Sequence, residues 1–179
     1  LAHAGAWQNV TAGAGSTWRV PECIRAGCEI RYRFALAEAA RSIHDLDTAI
    51  ASERAFLAPP STWLLRPLAP HDDGEERFWL HVTTTAPTRF VSGLTPVPGQ
   101  AATFVGRASD LPRSPYSAFG ELRPHTLSLG NGAQTLEMAF AGPELEIGDA
   151  ALVHWVLQKA AVVAQYYGQF PVSRAPILG

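Results

Sequence analysis

The sequence predicts a mainly β protein that closes on one long helix. Three observations carry that reading. Between residues 17 and 140, short runs of alternating apolar and polar residues recur between turn signals, as in an antiparallel β-sandwich or a large curved β-sheet. Asn131-Gly132, a pair with a left-handed preference, sits between two of the clearest runs. From Asp149 to Tyr167 the apolar period becomes helical. The organisation that follows is a β-rich domain over residues 1–145 and a helical segment over residues 146–179.

Residues 1–28 are rich in Gly, Ala, Ser and Thr and predict at most an edge strand around Trp18. In EIRYRFAL, Ile30, Tyr32, Phe34 and Leu36 alternate with Glu29, Arg31 and Arg33, which predicts a half-buried strand with one charged face. AEAARSIHDLDTAIASERAF places Ile43, Leu46 and Ile50 at helical spacing, so a short helix and a loop with helical turns both fit. PPSTWLLRP predicts a short strand from Trp63 to Arg66 between prolines. Asp73-Gly74 is a hairpin signal, and RFWLHVTTT alternates Phe78, Leu80 and Val82 against Trp79, His81 and Thr83. TRFVSGL and AATFVGR read as two further strands. HTLSLGNGAQTLEMAF reads as a hairpin with a type I′ turn at Asn131-Gly132. In it Leu127 and Leu129 share a face with Leu136, Met138 and Phe140.

The closing helix takes Asp149 as N-cap and Gly168 as its stop, with Pro171 blocking continuation. Leu152, Val153, Trp155, Val156, Val162, Val163 and Tyr166 spread over so much of its surface that burial on more than one side is expected. The preceding β region can cover one side only. The expectation is that the chain is the front of something longer, with Leu152, Trp155, Val156, Val162, Val163 and Tyr166 lying between domains, or that the helix pairs with a second copy in a homodimer.

Charge excludes some partners. A net charge of −2, with arginines scattered rather than striped, gives nucleic acid no electrostatic footing and supplies no polybasic membrane segment. No apolar run is long enough for a membrane span. Cys23 and Cys28 can close a small loop, stabilising by roughly 2 kcal/mol through loop entropy, or stand as two reduced thiols. The disulfide is the favoured reading, and it points to a periplasmic or extracellular protein. No second Cys/His pair follows at zinc-finger spacing.

No catalytic set is legible. The histidines are His3, His44, His71, His81, His125 and His154, and none forms His-Glu-x-x-His. His44-Asp45-Leu46-Asp47 and His71-Asp72-Asp73 have metal or acid–base chemistry in principle but read as polar turns. Gly13-Ala14-Gly15-Ser16 lacks the following lysine of a phosphate loop, and Ser114 and Ser117 lie in no nucleophile elbow. Trp63, Trp79, Tyr116 and Phe119 form a candidate aromatic surface for sugar or peptide, against the plainer reading of β-core packing.

The order of these segments carries a resemblance. IRYRFAL and AFLAPPSTWLLRP come first, then FWLHVTTTAPTRFVSGL, the loop LPRSPYSAFGEL and the hairpin, and last ALVHWVLQKAAVVAQYYGQFPVSRAPILG. Together they resemble the N-terminal region of the glycyl-aminopeptidase-type gluzincin zinc metallopeptidases. The resemblance implies a β-rich domain that shapes or covers a peptide cleft, followed by the first helix, turn and strand of a thermolysin-like catalytic domain. It implies zinc in the full-length protein, held on a His-Glu-x-x-His helix with a downstream Glu. None of these residues occurs here, so no catalytic, cofactor or metal residue is expected in this chain, and it is expected to be inactive alone. Its implied partners are the rest of its own catalytic domain and a peptide substrate. Where the family reads Asp-Ser-Pro, this chain has Arg113-Ser114-Pro115. The alternative is a stand-alone β-sandwich module that binds carbohydrate or protein.

Overall fold

The computed structural model describes residues 2–3, 6–11, 13, 17–20, 23, 28–42, 49–66 and 75–179. The chain divides into two units, residues 1–35 and 36–179. The signals at His44, His71 and Asp73-Gly74, and most of the Gly13–Ser16 stretch, lie outside the described residues.

In the first unit, β1 (Ala2–His3) pairs antiparallel with β2 (Ala6–Trp7). Cys23 and Cys28 are joined in a disulfide. The guanidinium of Arg31 lies 4.1 Å over the Trp7 ring and also bonds Glu29 at 2.9 Å. The strand expected over Glu29–Leu36 is not formed. Only a lone bridge at Glu29 is present, residues 30–35 are exposed coil, and Leu36 already starts a helix. Alternation makes a strand only where a neighbour takes up its backbone groups and a core takes one face, and among the described residues neither is supplied. Trp18 likewise lies in no strand.

The second unit holds helix α1 (Leu36–Ser42) and three sheets. A four-stranded antiparallel sheet has the order β3 (Ile50–Ala51), β4 (Ala55–Ala58), β9 (Ser117–Gly120), β6 (Arg89–Ser92). A three-stranded one has the order β5 (Arg77–His81), β8 (Thr103–Arg107), β7 (Thr95–Pro96). The third has the order β10 (Leu122–Leu129), β11 (Gln134–Ala141), β12 (Arg174–Leu178). The molecule is thus mostly β, its sheets antiparallel save for one strand pair, with the long helix near the C-terminus.

Register explains the core. Leu57, Ala118 and Val91 align across β4, β9 and β6 on one face, and Phe56, Phe119 and Phe90 on the other. The first face meets the third sheet. Ala55 and Ala118 bury against Leu122 and Ala139, with Leu57, Val91, Ala141 and Leu178 packed around them. The second face gathers aromatic rings. Trp63 stands edge-on to Phe119 at 5.2 Å, Phe90 tilts on Phe119 at 4.7 Å, and Phe104 of β8 meets Phe90 at 5.4 Å. Such edge contacts suit the ring quadrupoles.

The expected strand Trp63–Arg66 is not formed: Trp63 ends a helical turn, α2 (Pro60–Trp63), and residues 64–66 are bend and coil, so the turn carries the Trp63 ring into this cluster. Pro60 at its first position has the φ a helix needs and no N–H to lose.

Between β9 and β10 the chain leaves one sheet for the other with only Glu121 between. Gly120 makes the corner at φ +133°, where a Cβ would meet the Arg54 carbonyl oxygen at 2.1 Å. The β10–β11 hairpin holds the expected face, with Leu127 opposite Leu136. Its turn differs. Leu129 pairs with Gln134, so four residues, Gly130–Ala133, make the loop, with Asn131 left-handed at φ 59° and Ala133 N–H donating to the Gly130 carbonyl. Gly130 also takes positive φ, and this extra flexible residue lets the turn widen beyond two residues.

Candidate functional site

The segment that most asks for a partner is the crossover β11–α3–β12, where α3 is Asp149–Tyr167. β12 pairs parallel to β11, Leu136 beside Ala175 and Met138 beside Ile177. Parallel neighbours need a crossover, and its helix packs on one sheet face. The face is the one carrying Arg123, His125, Leu136 and Met138, because the first two hold the start of the helix. Arg123 forms a bidentate pair with Asp149, Nε to Oδ2 at 2.6 Å and Nη2 to Oδ1 at 2.9 Å, and its Nη1 donates to the Gly142 carbonyl. His125 Nε2 lies 3.1 Å from Asp149 Oδ2, and its ring rests on Phe140.

This corrects the expected N-cap. Gly148 occupies that position at φ 78°, and Asp149 is the first helical residue. Its N–H donates to the Glu144 carboxylate, and its own carboxylate is spent on Arg123 and His125. The Arg123 hydrogen bonds hold the Asp149 carboxyl down at about 2, against burial, which opposes the charge. The same hydrogen bond raises Arg123 above its ordinary value. The helix N-terminus adds a favourable field for Asp149. Asp149, Arg123 and His125 therefore form a structural clasp. At the other end Gly168 stops the helix in the left-handed conformation, as its sequence position predicts.

Below the clasp, Leu152, Val153, Val156, Val163 and Ala164 are half-buried and Ala160 is buried, at helical spacing on the inner side. On the outer side Trp155 is 57% exposed, Val162 62% and Tyr166 81%. Of the six helix residues singled out from sequence, Leu152, Val156 and Val163 turn in, and Trp155, Val162 and Tyr166 turn out.

A second staple ties β12 to the four-stranded sheet. Arg174 donates to the Leu94 and Ser92 carbonyls and to Glu137 Oε2 at 2.6 Å. Ser92 and Ser117, both buried, share a hydrogen bond of 2.8 Å.

The four candidate aromatics do not meet in one platform. Trp63 and Phe119 belong to the aromatic cluster. Tyr116 lines a shallow apolar hollow of about 330 Å³ with Ile50, Leu57, Pro115, Pro176 and Leu178. Trp79 lies apart from these three, exposed on the outer face of β5.

Arg123 and His125 escaped the sequence reading. The signal was there in principle, since two basic residues interrupt the otherwise apolar face of a hairpin strand, and an Asp opens the helix that must cover it.

Among the described residues no three of His, Cys, Asp and Glu come together as a metal site. His125 and Asp149 are the nearest approach, and Arg123 fills the place a cation would take. These three residues do not fit a zinc ion. No helix among the described residues is long and apolar enough to cross a membrane.

No protein-family model matches the chain, and no curated protein matches it. Among solved structures, the fold is similar to that of an aminopeptidase N family protein from Idiomarina loihiensis, with a TM-score of 0.56 and 13% identity. The match covers 74% of this chain and 23% of that one, so the chain spans less than a quarter of that structure's length. At this identity the likeness is one of fold, and it agrees with the resemblance read from the sequence at the coarse level of an aminopeptidase N-like β region.

Proposed function

We propose that this chain is the front part of an exported aminopeptidase-like zinc peptidase of the glycyl-aminopeptidase type. Residues 1–145 shape or cover the peptide cleft, and residues 146–179 open the catalytic domain. The outer side of α3 carries the reading. Trp155, Val162 and Tyr166 lie open on a crossover helix whose other side is already packed, and an apolar surface of this kind marks an interaction site. The rest of the parent's catalytic domain is the partner this reading assigns to it. Support for the class comes from the aminopeptidase N-like fold and from the helix, turn and strand that close the chain. The Cys23–Cys28 disulfide supports an oxidising compartment. Zinc belongs, on this reading, to residues outside these 179, and the chain alone performs no hydrolysis.

The test is an assay of the 179-residue chain beside the complete product of its gene, on Gly- and Ala-aminoacyl reporters with and without chelator. The complete product is expected to be active and chelator-sensitive, and the short chain inactive. Chelator-sensitive hydrolysis by the short chain, or a reading frame that stops after Gly179, overturns the proposal.

One observation favours a second reading, a stand-alone β module that binds carbohydrate or protein: the exposed Trp79. On that reading Val156, Val162 and Val163 are all buried within the monomer, and Val162, 62% exposed, weighs against it.

A further inference from the structure

Among the described residues of 36–179, six strands form the rims of the three sheets, and five of them are closed to a further strand. β10 carries Pro124, β12 carries Pro176 and β7 ends on Pro96. Proline removes the donor a new neighbour would need, which is how natural sheets blunt their edges. β3 is two residues long. β6 has four residues, and Arg174 already occupies its Ser92 carbonyl. The remaining edge, β5, is five residues long and free of proline, and among the described residues no strand pairs with its outer side.

The direction of its free backbone groups follows from register. Ala108 N–H donates to Glu76, and Val82 N–H donates to Ala102. Hydrogen-bonded pairs alternate along an antiparallel ladder, so the even residues 76, 78, 80 and 82 bond to β8. The N–H and C=O groups of Arg77, Trp79 and His81 therefore point out from the sheet edge.

The side chains add chemistry to that ladder. Arg77, Trp79 and His81 share the outer face, opposite Arg107, Val105 and Thr103. Two arginines directly opposite in a pair that is not hydrogen-bonded repel each other. Glu75 offsets Arg107 only at 3.5 Å on the surface, where such a pair contributes little, and Arg77 has no ion pair among the described residues. Trp79, 60% exposed, stands beside them. The Thr103 hydroxyl donates to the Ala101 carbonyl, so it accepts from His81 Nδ1–H and leaves Nε2 open. On the other face of β5, Phe78 and Leu80 are half-buried and apolar, and Phe78 lies over Gly106 at a distance no side chain there would allow.

We infer that the outer edge of β5 is a binding site for an extended peptide whose residues alternate acidic and apolar. The peptide adds as a strand on Arg77, Trp79 and His81. Its acidic side chains lie on the Arg77/Arg107/Trp79 face and its apolar ones beside Phe78 and Leu80. Backbone pairing supplies affinity and the alternating faces supply specificity. The inference rests on β5 and β8 and not on the peptidase reading. Because the whole chain carries a net charge of −2, general electrostatics does not retain an acidic peptide, and a local patch must.

The probe is a capped hexapeptide of alternating Glu and Val, titrated into the isotope-labelled chain while backbone amide shifts and hydrogen exchange are followed. Saturable shifts and slowed exchange centred on Arg77, Trp79 and His81 are expected. Binding should weaken about tenfold in the exposed double variant R77E/R107E, and W79A should weaken it further with the far-UV spectrum unchanged. N-methylation of the probe's alternate residues should abolish binding in one parity and spare it in the other. A block isomer, Glu-Glu-Glu-Val-Val-Val, should bind worse. Absence of saturable shifts at millimolar probe overturns the inference, as does binding indifferent to N-methylation. Equal binding of an oligouronate of the same charge overturns it in favour of an anionic sugar surface.

Discussion

The inner and outer sides of α3 both carry large apolar residues, and these live in different surroundings. Leu152, Val156, Ala160 and Val163 face the sheet, above Leu136 and Met138, which are almost wholly buried. Trp155, Val162 and Tyr166 face away and lie open. Composition separates the two sides only in part: the inner side is wholly aliphatic, and the exposed side sets Trp155, Val162 and Tyr166 among His154, Gln158, Lys159 and Gln165. The difference lies in what the rest of the chain places against each. A helix with large apolar residues on both sides predicts two burials, and this chain performs one.

Substitutions measure that difference directly. The largest effect is expected under the inner side. Leu136→Ala should cost about 2–5 kcal/mol in urea unfolding, from lost transfer energy and the cavity left behind. A loss below about 1 kcal/mol would mean that the helix does not close over the sheet face. Ala160→Leu overfills the same seam and should cost about 1–3 kcal/mol. The adjacent Ala161→Leu points to solvent and should be close to neutral, so equal effects in the two would erase the distinction between the sides.

A smaller effect is expected at the clasp, and it fades in acid. The folded Asp149 carboxyl lies at about 2, below the unfolded value of about 3.9. Its contribution is fully present above the unfolded value and is lost as pH falls from about 4 towards about 2. Comparing Asp149→Asn with the parent should show a stability gap at pH 7 that narrows over that window. A constant gap would remove the clasp from the account.

The smallest effect is expected outside. Trp155→Gln, Val162→Gln and Tyr166→Gln should each change the stability of this chain by no more than about 0.5 kcal/mol. The same changes should reduce any self-association seen by sedimentation at high concentration. A loss of 2 kcal/mol at Val162 would show that this side is packed after all.

What the sequence reveals follows how local each interaction is. The β10–β11 hairpin and α3 are legible because alternation, a left-handed Asn and a Gly stop act over neighbouring residues. The pairing of β12 with β11 is not, because the partners lie on either side of a whole helix. Glu29–Leu36 alternates as well as any strand here and forms none, since alternation is necessary for a strand and a neighbour completes it. Trp63 illustrates the reverse, where Pro59-Pro60 sets a helical turn and so aims the ring at Phe119. Asp149 reads as a cap in isolation. Only the fold brings Arg123 and His125 to it and gives its carboxylate another use. The open edge of β5 was equally hidden, because a strand's place in its sheet is a property of the other strands.

The corner at Gly120 has a mechanical consequence. With only Glu121 between β9 and β10, and Arg174 bridging from β12 to the carbonyls of Ser92 and Leu94, the third sheet has no slack against the four-stranded one. Neither can slide along its strands without dragging the other. A load applied to the outer side of α3 is therefore delivered through the clasp and the corner to β4, β6 and β9 as one stiff body, and whatever grips that helix steers both sheets together.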